Sequence, residues 1–135
     1  LESLYQEEIL ELARVARKIS PLIDHTLNYT SRNPICGDEV SVFLYVNNIG
    51  RVEKYGHKVR GCALCEASAG LVSKKVVGLE INSLININEY ATNWLNGMVD
   101  NFIFEEIKSF TPVKDYKNRH KCILLSFNAL SGACR

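Results

Sequence analysis

Proline is scarce in this chain, with 3 among 135 residues, and no repeat, charge run or low-complexity stretch interrupts it. Residues 1–135 therefore read as one folded domain, long enough to bury a core. No apolar run approaches the length needed to cross a bilayer, which excludes a membrane-spanning role. Neither sign of charge dominates: 16 basic and 15 acidic side chains leave a net charge of +1. No basic stripe with interleaved aromatic residues is present, so nucleic acid is not an expected partner. No secretory signal opens the sequence, and Asn28-Tyr29-Thr30 reads as a chance match to a glycosylation sequon. The 5 cysteines are an odd number and lack the density of a disulfide scaffold. A reducing, cytoplasmic compartment is the expected setting.

What the sequence does contain is a clear change of hydrophobic period along its length. Tyr5, Ile9, Leu12, Ala16 and Ile19 fall at helical spacing, which predicts an amphipathic helix over 3–19, ended by Pro21. A loop is expected from there to Asp38. Residues 39–46 alternate, with Val40, Val42, Leu44 and Val46 on one face, which predicts a strand. Asn47-Asn48-Ile49-Gly50 is a turn signal, and 51–60 can return as the hairpin partner. His57 shares a face with Tyr55 and Val59 and reads as a packed histidine rather than a ligand. Residues 62–77 read as a helix rich in small side chains, closed by Gly78. A second helix is expected from the spacing of Leu84, Ile87, Ala91, Trp94, Leu95 and Met98. A third is expected from Val99, Phe102, Ile103, Ile107 and Phe110, stopped before Pro112. The last runs from near Lys117 to Leu130. Helix, hairpin, then several helices predicts an α+β fold: a small antiparallel sheet with helices packed on one face.

Three of the cysteines stand in unusual local contexts: Asn33-Pro34-Ile35-Cys36-Gly37-Asp38, Gly61-Cys62-Ala63-Leu64-Cys65 and Arg119-His120-Lys121-Cys122. Thiols at turns and helix starts are poorly placed to fill a core and well placed to hold a soft metal or to carry sulfur. With Asp38 beside Cys36, the set offers three thiolates and a carboxylate, enough for one tetrahedral site. Gly37 allows a sharp turn, so the side chains of Cys36 and Asp38 are expected to point at one centre. Cys62 precedes a helix, whose exposed N–H groups favour a thiolate. Cys65 reads as a small buried side chain, with a redox pair or a spare ligand as its alternatives. Cys134, next to the end, reads as a frayed terminal thiol.

These three motifs, in this order, resemble the NifU N-terminal/IscU/SufU family of iron–sulfur cluster assembly proteins. The resemblance runs from Leu4-Tyr5-Gln6-Glu7-Glu8-Ile9-Leu10 to Ser126-Phe127-Asn128-Ala129-Leu130 and is poor over about 20–32. It implies an IscU/SufU-like α+β fold, with metal or cluster ligands at Cys36, Asp38, Cys62 and Cys122. It also implies Zn2+ or a transient iron–sulfur cluster as the bound group. The implied partners are a cysteine desulfurase and iron–sulfur client or carrier proteins. Many scaffold members carry histidine directly before the last cysteine. Lys121 stands there instead, and with Arg119 three residues before Cys122 it matches the SufU-like pattern. A zinc-dependent sulfur relay is thereby set beside a cluster scaffold.

Within the relay reading, Cys36 is the expected sulfur acceptor, because it lies on a glycine-containing loop. Three thiolates, a carboxylate and a divalent cation sum to a formal charge of about −2, so a nearby cation is expected. Arg119 is placed in that role, contacting Asp38 or a ligand sulfur. The competing reading is a thiol–disulfide oxidoreductase built on Cys62-x-x-Cys65. It explains neither Cys36-Gly37-Asp38 nor Cys122, and no βαβ pattern precedes the CxxC.

Overall fold

The structure is a computed structural model that describes residues 2–135. Its first element, α1 (Glu2–Arg17), lays Leu12, Ala13 and Ala16 into the core and leaves Glu7, Glu8, Glu11, Arg14 and Arg17 exposed. The helix ends as expected from Pro21: Lys18 and Ile19 N–H groups turn back to the carbonyls of Val15 and Ala16. The stretch after it is only partly loop. Residues 20–26 pass across the outer face of the sheet, where the absence of a side chain at Gly56 gives them room. A Cβ there would lie 2.5 Å from the Ser20 carbonyl oxygen and 2.7 Å from the Leu22 nitrogen. His25 packs edge-on against Phe43, at 5.1 Å between ring centroids, and Asp24 pairs with Lys54 at 2.8 Å.

The chain then enters a strand that the sequence did not announce, β1 (Leu27–Arg32). It pairs antiparallel with β2 (Glu39–Val46), from Leu27 opposite Leu44 to Arg32 opposite Glu39. β3 (Val52–Arg60) pairs with the other edge of β2, with Val42 opposite His57, giving the sheet order β1-β2-β3. The predicted hairpin is therefore present, and its alternation holds: Val40, Val42 and Leu44 are fully buried while Ser41, Phe43 and Tyr45 are half-buried. β1 escapes notice because Leu-Asn-Tyr-Thr-Ser-Arg has no apolar alternation of its own. Its partner β2 imposes the extended conformation.

Helices cover the inner face, as the α+β reading requires. α2 (Ala63–Lys75) and α4 (His120–Cys134) lie on the sheet and α3 (Ile87–Leu95) packs on α4, with 3-10 segments between the helices. α2 and α1 touch backbone to backbone: a Cβ on Gly70 would collide with the Leu12 carbonyl group. Arg17 reinforces this crossing with two hydrogen bonds to Glu66, at 3.1 and 2.9 Å. α4 closes over β1, with Tyr29 lying on Gly132. His57 is buried as expected; its Nε2–H donates to the Ala16 carbonyl and its Nδ1 accepts from the Tyr55 hydroxyl.

Two helical expectations need correction. α3 stops at Leu95 because Gly97, at φ +74°, reverses the chain after Asn96, and Met98 is left exposed. The predicted helix over 99–110 is instead a 3-10 helix over Glu105–Asp115, and Val99 and Ile103 are exposed. That segment contains Pro112, whose ring would clash with the preceding turn of an α-helix but fits the tighter 3-10 pattern. Cys134 is no frayed terminus either: it is buried within the last turn of α4.

Candidate metal centre

The six residues between β1 and β2 form a self-bonded loop. Asn33 N–H donates to the Asp38 carbonyl at 2.8 Å, Gly37 N–H donates to the Asn33 carbonyl at 2.9 Å, and the Asn33 side chain accepts from Ile35 N–H. Gly37 takes φ +76°, a conformation that side chains disfavour. The turn at Gly37 separates its neighbours: Asp38 is half-buried beneath the loop, and Cys36 is exposed on it.

β3 ends at Arg60, and after Gly61 the chain turns directly into α2, with Cys62 at the N-cap. Cys65 is one turn further on and fully buried. Residues at N-cap and at the third helical position face one another, as in a capping box. Here that geometry sets two sulfurs 3.7 Å apart. Cys122 lies in the first turn of α4, and a hydrogen bond of 2.6 Å from the Ser68 hydroxyl to the Ile123 carbonyl fastens α2 to α4 beside it.

These elements bring Asp38, Cys62, Cys65 and Cys122 together, with one donor atom of each within 4.8 Å of all the others. The Cys65 thiol is 3.4 Å from Asp38 Oδ2, to which it donates. Donors bound to one zinc ion at about 2.0–2.3 Å in a tetrahedron stand roughly 3.5–3.8 Å apart. The Cys62–Cys65 and Cys65–Asp38 separations are already near that spacing. Three thiols and one carboxylate are also a donor set that suits zinc or iron. Gly61 is part of the construction: a Cβ there would lie 2.9 Å from both Cβ and Sγ of Cys65 and 3.2 Å from the Asp38 carboxyl carbon.

The thiols are not equivalent. Burial opposes ionisation of Cys62, but the N–H groups of Cys65 and Leu64 and the neighbouring thiols together hold its pKa below the usual cysteine value. Cys122 is pushed up to about 11 by burial and by the charge on Cys62. Cys65 is raised further, by burial first and then by Cys62. The cluster thus presents, at a helix N-terminus, one thiol that ionises more readily than an ordinary cysteine, with two thiols that a divalent cation would have to deprotonate.

Of the residues singled out from the sequence, Asp38, Cys62 and Cys122 converge. Cys36 does not join them, and Cys65 stands in the group instead. Arg119 is exposed at the start of α4, and none of the ion pairs among the described residues involves it. Lys121 is exposed. His120 is turned away from the site, its Nε2–H donating to the Lys114 carbonyl at 2.8 Å. The signal for Cys65 is its spacing: three residues beyond an N-cap cysteine is the position that faces it.

A three-stranded antiparallel sheet, covered by helices whose N-termini carry a cysteine-rich donor set, defines a small α+β protein with a metal or cluster site. Comparison with known proteins gives the particular family. The family model described as the NifU-like N terminal domain matches residues 4–123. The chain belongs to that family. It is 30% identical, over 98% of its own length and 93% of the relative's, to the iron-sulfur cluster assembly scaffold protein IscU of Thermotoga maritima. To the zinc-dependent sulfurtransferase SufU of Bacillus subtilis it is 24% identical, over 96% of its length and 88% of the relative's. Among solved structures, a NifU-like protein (N-terminal) from Brucella abortus superposes with TM-score 0.82 at 30% identity, covering 93% of this chain and 88% of that one. A putative scaffold protein for the SUF system from Fervidobacterium islandicum also gives 0.82, at 23% identity, covering 96% and 95%. None of these four proteins is described as a thiol–disulfide oxidoreductase.

Proposed function

We propose that this chain is an iron–sulfur cluster assembly protein that binds a metal ion or a nascent cluster at its cysteine site and accepts sulfur from a cysteine desulfurase. The observation that carries the reading is the convergence of Asp38, Cys62 and Cys122 from three separate elements, in a chain of this family. Zinc relay is the preferred form. None of the described histidines stands among the gathered donors, Lys121 precedes Cys122, and two of the donor separations, Cys62–Cys65 and Cys65–Asp38, are already near those of a tetrahedral ion. The odd, scattered cysteine set supports a reducing, cytoplasmic setting.

A bound divalent cation would keep its cysteine ligands deprotonated at neutral pH. The chain itself supplies the acceptor and the approach. Cys36 is an exposed thiol on a short loop, reachable by a partner's persulfide. In the transfer, the Cys36 thiolate attacks the terminal sulfur of the desulfurase persulfide. A new S–S bond forms at Cys36, the partner's S–S bond breaks, and the partner's cysteine leaves as thiolate. The proton lost by the Cys36 thiol is taken up by the terminal sulfur of the arriving persulfide anion before the attack, and no outside oxidant or reductant is needed. Arg119 and Lys121, both exposed next to Cys122, place positive charge beside a site whose formal charge would be about −2. There they can attract an anionic persulfide.

Metal analysis of protein purified without reconstitution tests the relay form. Stoichiometric zinc in a colourless sample supports it, whereas a brown, oxygen-labile chromophore supports the scaffold form. Cys36→Ala is expected to fold and to lose the ability to raise desulfurase turnover. Mass spectrometry after incubation with desulfurase and cysteine should find added sulfur on Cys36. Sulfur found only on Cys62, Cys65 or Cys122 refutes the acceptor assignment.

A further inference from the structure

The donor set gathered in the structure differs from the one that the motifs imply, and the difference has a functional consequence. We propose that the resident metal in this chain is held by Asp38, Cys62, Cys65 and Cys122, and that Cys36 stands outside the coordination shell as a separate thiol. The inference rests on the metal reading above and names which residues carry it.

Four observations support this assignment. The Cys65 sulfur is 3.7 Å from Cys62 Sγ and 3.4 Å from Asp38 Oδ2, so it bridges the other two donors rather than lying behind them. Its position comes from the helix: Cys62 is the N-cap and Cys65 the third helical residue, so no loop rearrangement is needed to present both. The space it occupies is kept open by Gly61, where any side chain would meet Cys65 Sγ at 2.9 Å. Cys65 is also wholly shielded from water, and its S–H is aimed at a carboxylate. A metal ion bound there would take the place of that proton.

Cys36 has none of these features. It is exposed on a loop whose own hydrogen bonds, from Asn33 to Asp38 and from Gly37 to Asn33, hold its shape without any metal. A structural zinc site closes with four protein ligands. With Cys65 supplying the fourth, Cys36 is not required to complete the shell. Two tasks that a three-cysteine site must share are then divided. The buried tetrahedron holds the ion, and the loop thiol receives sulfur without opening it.

Cobalt(II) substitution of the wild-type protein, Cys36→Ser and Cys65→Ser counts the thiolates at the metal through the intensity of the sulfur-to-cobalt charge-transfer band. The wild type and Cys36→Ser should give the same intensity per bound ion. Cys65→Ser should lose about one third of it and bind cobalt at least about tenfold more weakly. A loss of intensity in Cys36→Ser, or an unchanged band in Cys65→Ser, overturns the inference. Uptake of neither cobalt nor zinc by the wild type overturns the metal reading itself, a different and distinguishable failure. Should Cys65→Ser fail to fold, the wild type still decides. With zinc bound, iodoacetamide should label Cys36 at once and Cys62 and Cys122 only after a chelator is added. Protection of Cys36 until chelation overturns the proposal.

Discussion

Gly61→Ala is the substitution that most sharply tests the geometry of the site. Gly61 has no positive φ, so alanine costs nothing through the backbone. The added methyl would sit 2.9 Å from Cys65 Cβ and Sγ and 3.2 Å from the Asp38 carboxyl carbon. Carbon atoms pack at about 3.5–4.0 Å, so Cys65 must retreat by roughly 0.6 Å or more and the Asp38 carboxyl by about 0.3 Å or more. Metal sites tolerate about 0.2 Å of error in ligand distance. Both donors would therefore be displaced beyond the tolerance, Cys65 by about three times it, and Cys65 carries the strain into the core of which it is part. The metal-free protein should lose about 1–3 kcal/mol, the usual range for overpacking, because Cys65 is fully buried and only Asp38 can relax outward.

Zinc affinity should fall at least about tenfold, which removes about 1.4 kcal/mol of ligand stabilisation at fixed zinc. An unfolding entropy near 2.1 cal/mol/K per residue puts that loss at about 5 °C of zinc-dependent Tm. The assay is a thermal melt with and without zinc, paired with competition against a chromophoric chelator. A zinc affinity within about twofold of wild type would refute the placement of Cys65 and Asp38 around a common ion.

Gly70→Ala should destabilise by about 3 kcal/mol or more, since its methyl would collide with the Leu12 carbonyl group and α1 must move away; an unchanged melting temperature would refute the close α1–α2 crossing. Burial holds the His57 imidazole pKa below its ordinary 6.5, against the pull of the Ala16 carbonyl. Its folded pKa being depressed, full stability is kept above pH 6.5 and lost as pH falls from there through the folded value. His57→Gln should lower stability by about 1–3 kcal/mol and flatten that acid limb, read as urea midpoints from about pH 8 to pH 5; identical slopes in both proteins would count against it. Arg119→Ala should leave zinc content unchanged, because among the described residues the side chain is exposed and pairs with no carboxylate of the donor group, and should slow sulfur uptake from the desulfurase more at low salt than at high; equal rates at both ionic strengths would remove Arg119 from the reaction.

The elements readable from the sequence are those whose pattern is local. β2 repeats every second residue and α1 at helical spacing, and both lie where expected. β1 is invisible there because its conformation is set by the neighbour to which it bonds, not by its own side chains. The failure around Val99–Phe110 has a different cause. Apolar residues at helical spacing occur there, but Gly97 reverses the chain ahead of them and Pro112 favours the tighter 3-10 turn. Asn96-Gly97 is a breaker signal that the surrounding apolar residues mask. Three of the four gathered donors are legible because each lies at an element boundary that its own sequence marks.

The remaining donor shows what spacing arguments omit. Cys36 and Asp38 are two residues apart, and the freedom of Gly37 suggests that they face one centre. The positive φ at Gly37 turns the chain between them, and the loop's hydrogen bonds direct Asp38 inward and Cys36 outward. Cys62 and Cys65 are three residues apart across a helix start, where the N-cap and third positions converge by the geometry of the first turn. The same residue type is therefore placed by two different rules. A glycine turn leaves direction to tertiary contacts, whereas a helix N-terminus fixes it locally. A cysteine pair spaced as N-cap and third residue carries more information about a shared ligand than a cysteine and an aspartate flanking a glycine. Cys65 needs only the start of α2 to be drawn at Ala63 for its sulfur to fall beside that of Cys62.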